Sequence, residues 1–489
     1  MLDAIQAKLG ALAPSDWAAK TQAWGELVAL YRQYAEGDHR AKMTPEMKAM
    51  LRISDARTDQ FNINYCDMVV QTMADRLKVT AVDGDNDAAS AWSADLLTFN
   101  RMDGLQMKVH EAAIRDGVTY VMVAYDNDAQ KPRLEHEEAY DGECGLIAVY
   151  DRTRKNIVAA VKIWLEGDSK FVNIYFPNRV EKYAYGEGGD LKDVIGQPVA
   201  WVDQVTNEAV GVPVVAFQSR EKSRSTTGSS EIAPVIPIQD GLNRTLVSMV
   251  ITAELTAFQI RYAVGWSPPA GITPGMWLKI SETQPLTPDE RIEVGTLQQG
   301  QLDQYLAQAL FLIDQIGTVS RTPLPQHMGG DNASGEALKQ REVGLLGKVE
   351  RFQVTGGNAW ENTLMMAAAV QQAFGLSKPP VAARFNTKWK TAAIRNDTDV
   401  IKNVKEAAQW IGDEEALRQI APVFGFDEDK IQRLLQQLKA QKAADLSAMG
   451  GNVPGFNQFA LPANGNGADG VTGANGVNPQ PMMASVPAR

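Results

Sequence analysis

Residues 228–246 read GSSEIAPVIPIQDGLNRTL and continue as VSMVITAELTAFQIRY to residue 262. Pro234 and Pro237 fall where the first turns of a helix tolerate proline, and no further proline follows until Pro268. The pattern predicts one uninterrupted helix from about Val235 to Tyr262, roughly 40 Å long at the usual rise per residue. One apolar row holds Leu242, Leu246, Met249, Ala253, Ala257 and Ile260, and a second holds Val247, Ile251, Leu255 and Phe258. Between them runs a narrow polar stripe of Asp240, Arg244, Ser248, Thr252 and Gln259. Such a helix must be covered on two sides and left wet along the third. A central helix of a large helical domain meets that requirement, and so does a helix standing in a ring of its own copies. Periodicity does not separate the two.

On the C-terminal side, residues 263–299 turn frequently, with Pro268, Pro269, Pro274, Gly275, Pro285 and Pro288 around short runs at 276–280 and 291–294. They read as a small α/β or β insertion. A second helix is expected over 302–316, with Leu302, Tyr305, Leu306, Ala309, Ile313 and Ile316 on one face, returning alongside the first. Pro323, Pro325, Gly329 and Gly330 then make a loop longer than helix connections usually are. Ser334 and Glu336 suit the start of a helix over about 335–375, bent at Gly356 and Gly357. After Pro379 and Pro380, helices are expected at about 397–411, 414–422 and 427–445. From Gly450 the chain is rich in glycine and asparagine and reads as a flexible tail.

On the N-terminal side, a helix from Trp17 to Tyr34 should stop at Gly37, and others are expected at 62–77, 87–99 and 104–116. After Gly117 the period shortens to β-rich runs at 118–125, 145–150, 157–164, 171–175 and 212–217, the pattern of an antiparallel meander. The fold class is therefore α+β, mainly helical.

The 489 residues carry 59 acidic against 48 basic side chains, a net charge of −11. That balance argues against a protein built to grip nucleic acid by neutralising phosphates. Cys66 and Cys144 lack the spacing of a disulfide framework or a zinc site. The N-terminus has no signal-peptide pattern. The most apolar run, 246–258, is interrupted by Glu254 and is too short for a membrane span. Gly347-Lys348 lacks the rest of a phosphate loop, because Glu342 and Val349 stand where glycine and Ser/Thr are required. His39, His110, His136 and His327 are scattered, and no hydrolase or dinucleotide motif occurs. Asp126, Asn127 and Asp128 read as a hairpin turn rather than a calcium loop. Glu135, Glu137, Glu138, Asp141 and Glu143 read as an acidic strand edge or loop. No catalytic residue, metal or cofactor is expected.

Four segments in order, YRQYAEGDH at 31–39, NYCDMVVQTMADRL at 64–77, GSSEIAPVIPIQDGLNRTL at 228–246 and DNASGEALKQRE at 331–342, resemble the portal, or head-to-tail connector, proteins of siphophage-type tailed double-stranded DNA phages. The resemblance spans roughly residues 20–445. It implies a dodecameric ring at one capsid vertex with wing, stem, clip and crown regions. On this chain the wing would take 1–228, the first stem helix 229–262, the clip 263–299 and the second stem helix 300–317. The tunnel loop would take 318–334, a long kinked wing helix and connector 335–394, the crown 395–446 and the tail 447–489.

The resemblance further implies a channel lined by Asp240, Arg244, Ser248, Thr252 and Gln259. It implies subunit contacts through Leu242, Leu246, Val247, Met249, Ile251, Leu255 and Phe258, and DNA close to Arg321, Gln326, His327 and Asn332. The implied partners are duplex DNA, the large terminase ATPase, major capsid and scaffolding proteins and a head-completion adaptor. The implied location is the virion, after assembly in the host cytoplasm. A monomeric scaffold or adaptor, and an enzyme with a dispersed site, are the readings from other classes.

Overall fold

The structure is a computed structural model that describes residues 1–39, 44–45, 62–153, 155–186, 190–194, 197–222, 225–257, 261–264, 293–296, 302–323, 335–380, 384–392, 404, 406, 412–421 and 430–440. The chain divides into two compact units, Met1–Ala393 and Ile394–Arg489.

The first unit opens with α1 (Leu2–Leu9) and α2 (Trp17–Glu36). Gly37 closes α2 at φ 80°, the left-handed conformation that a helix C-cap needs. There follow α3 (Cys66–Ala74), β1 (Val79–Gly84), α4 (Asp87–Phe99) and α5 (Met102–Asp116). The Asn86 side chain caps α4 by accepting the Ala89 N–H at 2.8 Å. Gly117, at φ 92°, ends α5, and a Cβ there would lie 2.8 Å from the Ser230 nitrogen. Glycine alone lets the chain turn so tightly beside that segment.

The strands form two main sheets rather than the single meander expected. β2 (Val118–Asp126) pairs antiparallel with β3 (Lys131–Glu137), across a turn in which Asp126 Oδ1 accepts the Asp128 and Ala129 N–H groups. β4 (Gly145–Tyr150), β5 (Ile157–Glu166), β6 (Ser169–Tyr175), β7 (Arg179–Tyr185) and β8 (Leu191–Asp193) make the second sheet in sequence order, with β9 (Val199–Ala200) also on β7. β10 (Val214–Gln218) then returns to β2, giving the order β10-β2-β3. The reason lies in β2, whose first six residues are all buried. A strand apolar on both faces takes a central place between two neighbours and cannot serve as one edge of a meander.

α6 (Ile236–Ala257) is shorter than the helix expected over 235–262. Arg261 and Tyr262 belong instead to β11 (Arg261–Val264), which pairs with β12 (Glu293–Thr296), so strand pairing overrides the helical period there. α7 (Leu302–Ser320) runs past Ile316, because Ser320 Oγ bonds back to the Ile316 carbonyl at 2.6 Å and extends the last turn. Residues 318–320, expected in a loop, are therefore helical. α8 (Gly335–Phe374) continues unbroken through Gly356 and Gly357. A Cβ on Gly357 would meet Trp389 Nε1 at 3.3 Å, and Thr387 Oγ1 donates to the Gly357 carbonyl at 3.1 Å. At that position glycine admits the close passage of β13 (Phe385–Trp389).

β13 pairs antiparallel with β1, joining the connector after Pro380 to the gap between the helices expected at 62–77 and 87–99, some three hundred residues away. The second unit contains α9 (Asp413–Ile420) and a helical stretch at 430–440, joined by Leu417, Ala421, Ile431 and Leu435. Of the helix expected at 397–411, only 404 and 406 are described, both helical.

The largest core centres on α8. Trp360 is fully buried and donates from Nε1 to His110 Nε2 at 3.1 Å, while His110 Nδ1 meets the Leu77 carbonyl at 3.3 Å. Both contacts are satisfied by the neutral imidazole carrying its proton on Nδ1. Phe352 and Trp389 enclose the same ring, with centroids at 5.4 and 5.3 Å. Burial pushes the His110 pKa down to about 4, against a smaller opposing effect of the Leu77 carbonyl. The folded pKa lies below the unfolded one, so this group's stabilisation is complete above the ordinary histidine range and is lost as pH falls toward 4. The expected loss from pH 7 to 4 is about 3 kcal/mol. Denaturant titrations of wild type and His110→Gln should show it as a steeper acid slope in the wild type. Equal slopes would contradict it.

Candidate functional site

No three His, Cys, Asp or Glu side chains converge on a metal-sized site among the described residues. No described helix is long and apolar enough to cross a membrane. Cys66 is a buried free thiol, pushed up to about 12 by burial and then by Asp240 and Asp67, while Cys144 is half-buried. The acidic run is not a free solvated edge. Glu137 pairs with Lys162, and Arg32 reaches Glu138 at 3.1 Å, Asp141 at 2.9 Å and the fully buried Asp116 at 3.1 Å.

The feature that distinguishes the molecule is the helical hairpin of α6 and α7, and polar side chains fix its base. The Tyr65 N–H donates to Gln239 Oε1 at 3.0 Å, and Gln239 Nε2 donates to the Ile63 carbonyl. The Ile63 N–H donates to Asn243 Oδ1 at 3.1 Å, and Asn243 Nδ2 lies 3.1 Å from His39 Nε2. Tyr34 stacks on His39 with centroids 4.3 Å apart and donates its hydroxyl to Asp240. Desolvation, reinforced by Asp240, holds the Tyr34 phenol far above its ordinary value. Sequence reasoning missed Gln239 and Asn243. Their i, i+4 spacing beside Asp240 was the available signal, but it resembles any solvated helix face.

Of the stripe expected to face a channel, Arg244 is exposed and Ser248 and Thr252 are half-buried, with Thr252 Oγ1 bonded to the Ser248 carbonyl at 2.8 Å. Asp240 is turned to Tyr34. Gln259 and Phe258 lie outside the described residues, and Leu255 is described only as helical. Leu242 and Val247 are fully buried inside their own chain and Ile251 nearly so, which leaves them little surface for a neighbour. Leu246 and Met249 are half-buried. On α7, Ala309 and Ile316 pack inward, whereas Leu306 and Leu310 are each 52% exposed and Phe311 59%.

Gln326, His327 and Asn332 also lie outside the described residues. Arg321 follows α7 at φ 54°, and its Cβ would lie 3.2 Å from one added at Gly344, so it passes close against α8. Next to it, buried Glu231 accepts a two-pronged bond from Arg220 at 2.9 and 3.0 Å and pairs with Lys348 at 2.6 Å. Lys348 also donates to the Ser320 carbonyl at 2.8 Å, tying α8 to the end of α7. Burial alone would raise the Glu231 carboxyl, but Lys348 and Arg220 outweigh it and hold it below the ordinary range.

The family of phage portal proteins described as SPP1 Gp6-like matches residues 18–444 of this sequence. The chain belongs to that phage portal protein family. It is similar to the portal protein of Mycobacterium phage D29, 26% identical over 354 residues that cover 67% of this chain and 69% of that one. It is also similar to the portal protein of Mycobacterium phage L5, 32% identical over 194 residues, 37% of this chain and 38% of that one. The segments that carry the portal resemblance meet in space: Tyr34 and His39 from the first touch Asp240 and Asn243 of the third, and Tyr65 of the second bonds Gln239. Arg76 of the second pairs with Glu342 of the fourth at 3.2 Å.

The portal hairpin's position should therefore depend on Gln239. Gln239→Ala removes the partners of a buried N–H and a carbonyl, at a cost of about 1–3 kcal/mol. Hydrogen exchange should quicken at the Tyr65 amide before that of β2, and unchanged protection at Tyr65 would contradict the assignment.

Proposed function

We propose that copies of this chain close into a ring, a dodecamer, whose α6–α7 hairpins surround a channel for double-stranded DNA at one capsid vertex. The observation that carries the assembly is the bare apolar row of Leu302, Leu306 and Leu310 on α7, with Phe311 beside it. These leucines recur every four residues on a helix whose other face is already packed. An apolar row so aligned gains by covering, and a neighbouring hairpin is the surface of matching length. Repeating one heterologous contact around an axis closes a ring.

In this reading the two hairpin helices are the stem, and residues 263–299 form the clip, which docks the large terminase ATPase during packaging and the head-completion adaptor afterwards. Residues 1–228 and 335–394 form the wing, with capsid and scaffolding proteins around it, and 395–446 form the crown. Arg244, Ser248, Thr252 and Gln259 face the channel, and Arg321, Gln326, His327 and Asn332 stand close to DNA. A net charge of −11 suits a wall past which DNA slides without a run of phosphate anchors. The motor's ATPase supplies the energy, and assembly precedes maturation in the host cytoplasm.

The half-burial of Leu246 makes it a poor position for testing assembly, because an aspartate there would strain the chain's own packing as well. Leu310→Asp is the cleaner probe. It should leave the monomer's circular dichroism and melting temperature near wild type and abolish rings in native mass measurement and negative-stain microscopy. A wild-type chain that stays monomeric at every concentration, or a Leu310→Asp chain that still forms rings, would overturn the proposal.

A further inference from the structure

We propose that the cavity between α8, the end of α7 and the 219–231 segment is a binding site for a phosphate group. It has a volume of about 110 Å³ and is lined, besides Val319, by Ser219, Arg220, Glu231, Arg321, Lys348 and Arg351. That is roughly the room of three or four waters, enough for one tetrahedral oxyanion.

The lining is strongly cationic, since four basic side chains face one carboxylate. Glu231 occupies Arg220 and Lys348, and so orients both. The guanidinium groups of Arg321 and Arg351 make no hydrogen bond or ion pair with a described residue. Both are exposed, and both reach the cavity from its rim. Ser219 is 2% exposed, and its Oγ is shut away from solvent with no hydrogen-bond partner. A buried hydroxyl without a partner is rare, and Ser219 belongs to the same lining as Arg321 and Arg351. A phosphate would receive the Ser219 hydroxyl on one oxygen and Arg321 and Arg351 on the others, the geometry in which guanidinium outperforms ammonium. Burial depresses the Lys348 pKa, with Arg220 and Arg321 adding to the depression, and Glu231 does not fully compensate.

An occupant would bridge three pieces of chain: the strand end at Ser219, the residue that leaves α7, and α8. The loop that begins after Arg321 would then start from a clamped point. All of these side chains belong to one chain, so the site does not depend on ring formation. Two sources present the same chemistry, a free phosphate ion and a phosphodiester of duplex DNA.

The test is calorimetric titration and thermal shift of the purified full-length chain with inorganic phosphate, chloride balancing the ionic strength, and with a short blunt DNA duplex. Wild type should bind phosphate saturably, and Arg351→Gln and Ser219→Ala should each weaken binding about tenfold or more while leaving the unliganded fold intact. Duplex that competes with phosphate in wild type but not in Arg351→Gln identifies the phosphodiester as the source. Phosphate binding without such competition identifies the free ion. Binding equal in wild type and both variants, or no saturable binding of either ligand, overturns the proposal. Ring formation, scored separately by microscopy, would stand or fall on its own.

Discussion

The bonds from Gln239 and Asn243 to residues 39 and 62–65 determine where the hairpin can stand. Both side chains are buried, and both reach backbone groups of the irregular residues 62–65. Sliding α6 by one residue would rotate these amides by about 100° and leave several polar atoms buried without partners. Apolar packing tolerates such a shift far better, because leucine against leucine has many near-equal solutions. The register of α6 is thus a polar decision made inside an apolar core. Everything proposed for α6 and α7 inherits it, including which leucines remain uncovered.

The same logic recurs where charges are buried. Asp116 is fully enclosed and answered by Arg32 and Arg115, and Glu231 by Arg220 and Lys348. Such groups add little net stability over apolar substitutes, yet losing one partner leaves a charge stranded. Their effect is to make each segment's neighbours unambiguous. Arg32 joins α2 to α5 and to the segment between β3 and β4, and Lys348 joins α8 to the end of α7 and to Glu231 ahead of α6.

Elements with a strong local period were legible in the sequence. The helix at 87–99 and the strand at 145–150 have the bounds expected of them, and Gly37 ends α2 as its type requires. What escaped was decided by distant partners. β1 and β13 are short and only weakly alternating, and each becomes a strand because the other is there. The helical period runs to Tyr262, yet Arg261–Val264 pairs with β12 as a strand. In the sequence Gly347-Lys348 is only a fragment of a phosphate loop, and nothing local reveals that Lys348 is answered by Glu231. The family, by contrast, was legible early: three of its four segments meet at the base of the hairpin, and the fourth reaches the second through Glu342 and Arg76.

A channel wall and an anion site make opposite demands on charge. Passage of a polyanion favours a surface without a ladder of cations, because each phosphate anchor adds a barrier that recurs along the duplex. In the proposed ring, the net charge of −11 and the Ser248 and Thr252 hydroxyls of α6 would meet that demand. The cluster around Glu231 does not, but it is local, partly buried and set at the point where α7 ends. Cations confined to one level of a ring would meet a phosphate without following it along the channel. An acidic protein can therefore carry a strongly basic pocket, provided the pocket is small and the carboxylate at its centre fixes which cations stay behind.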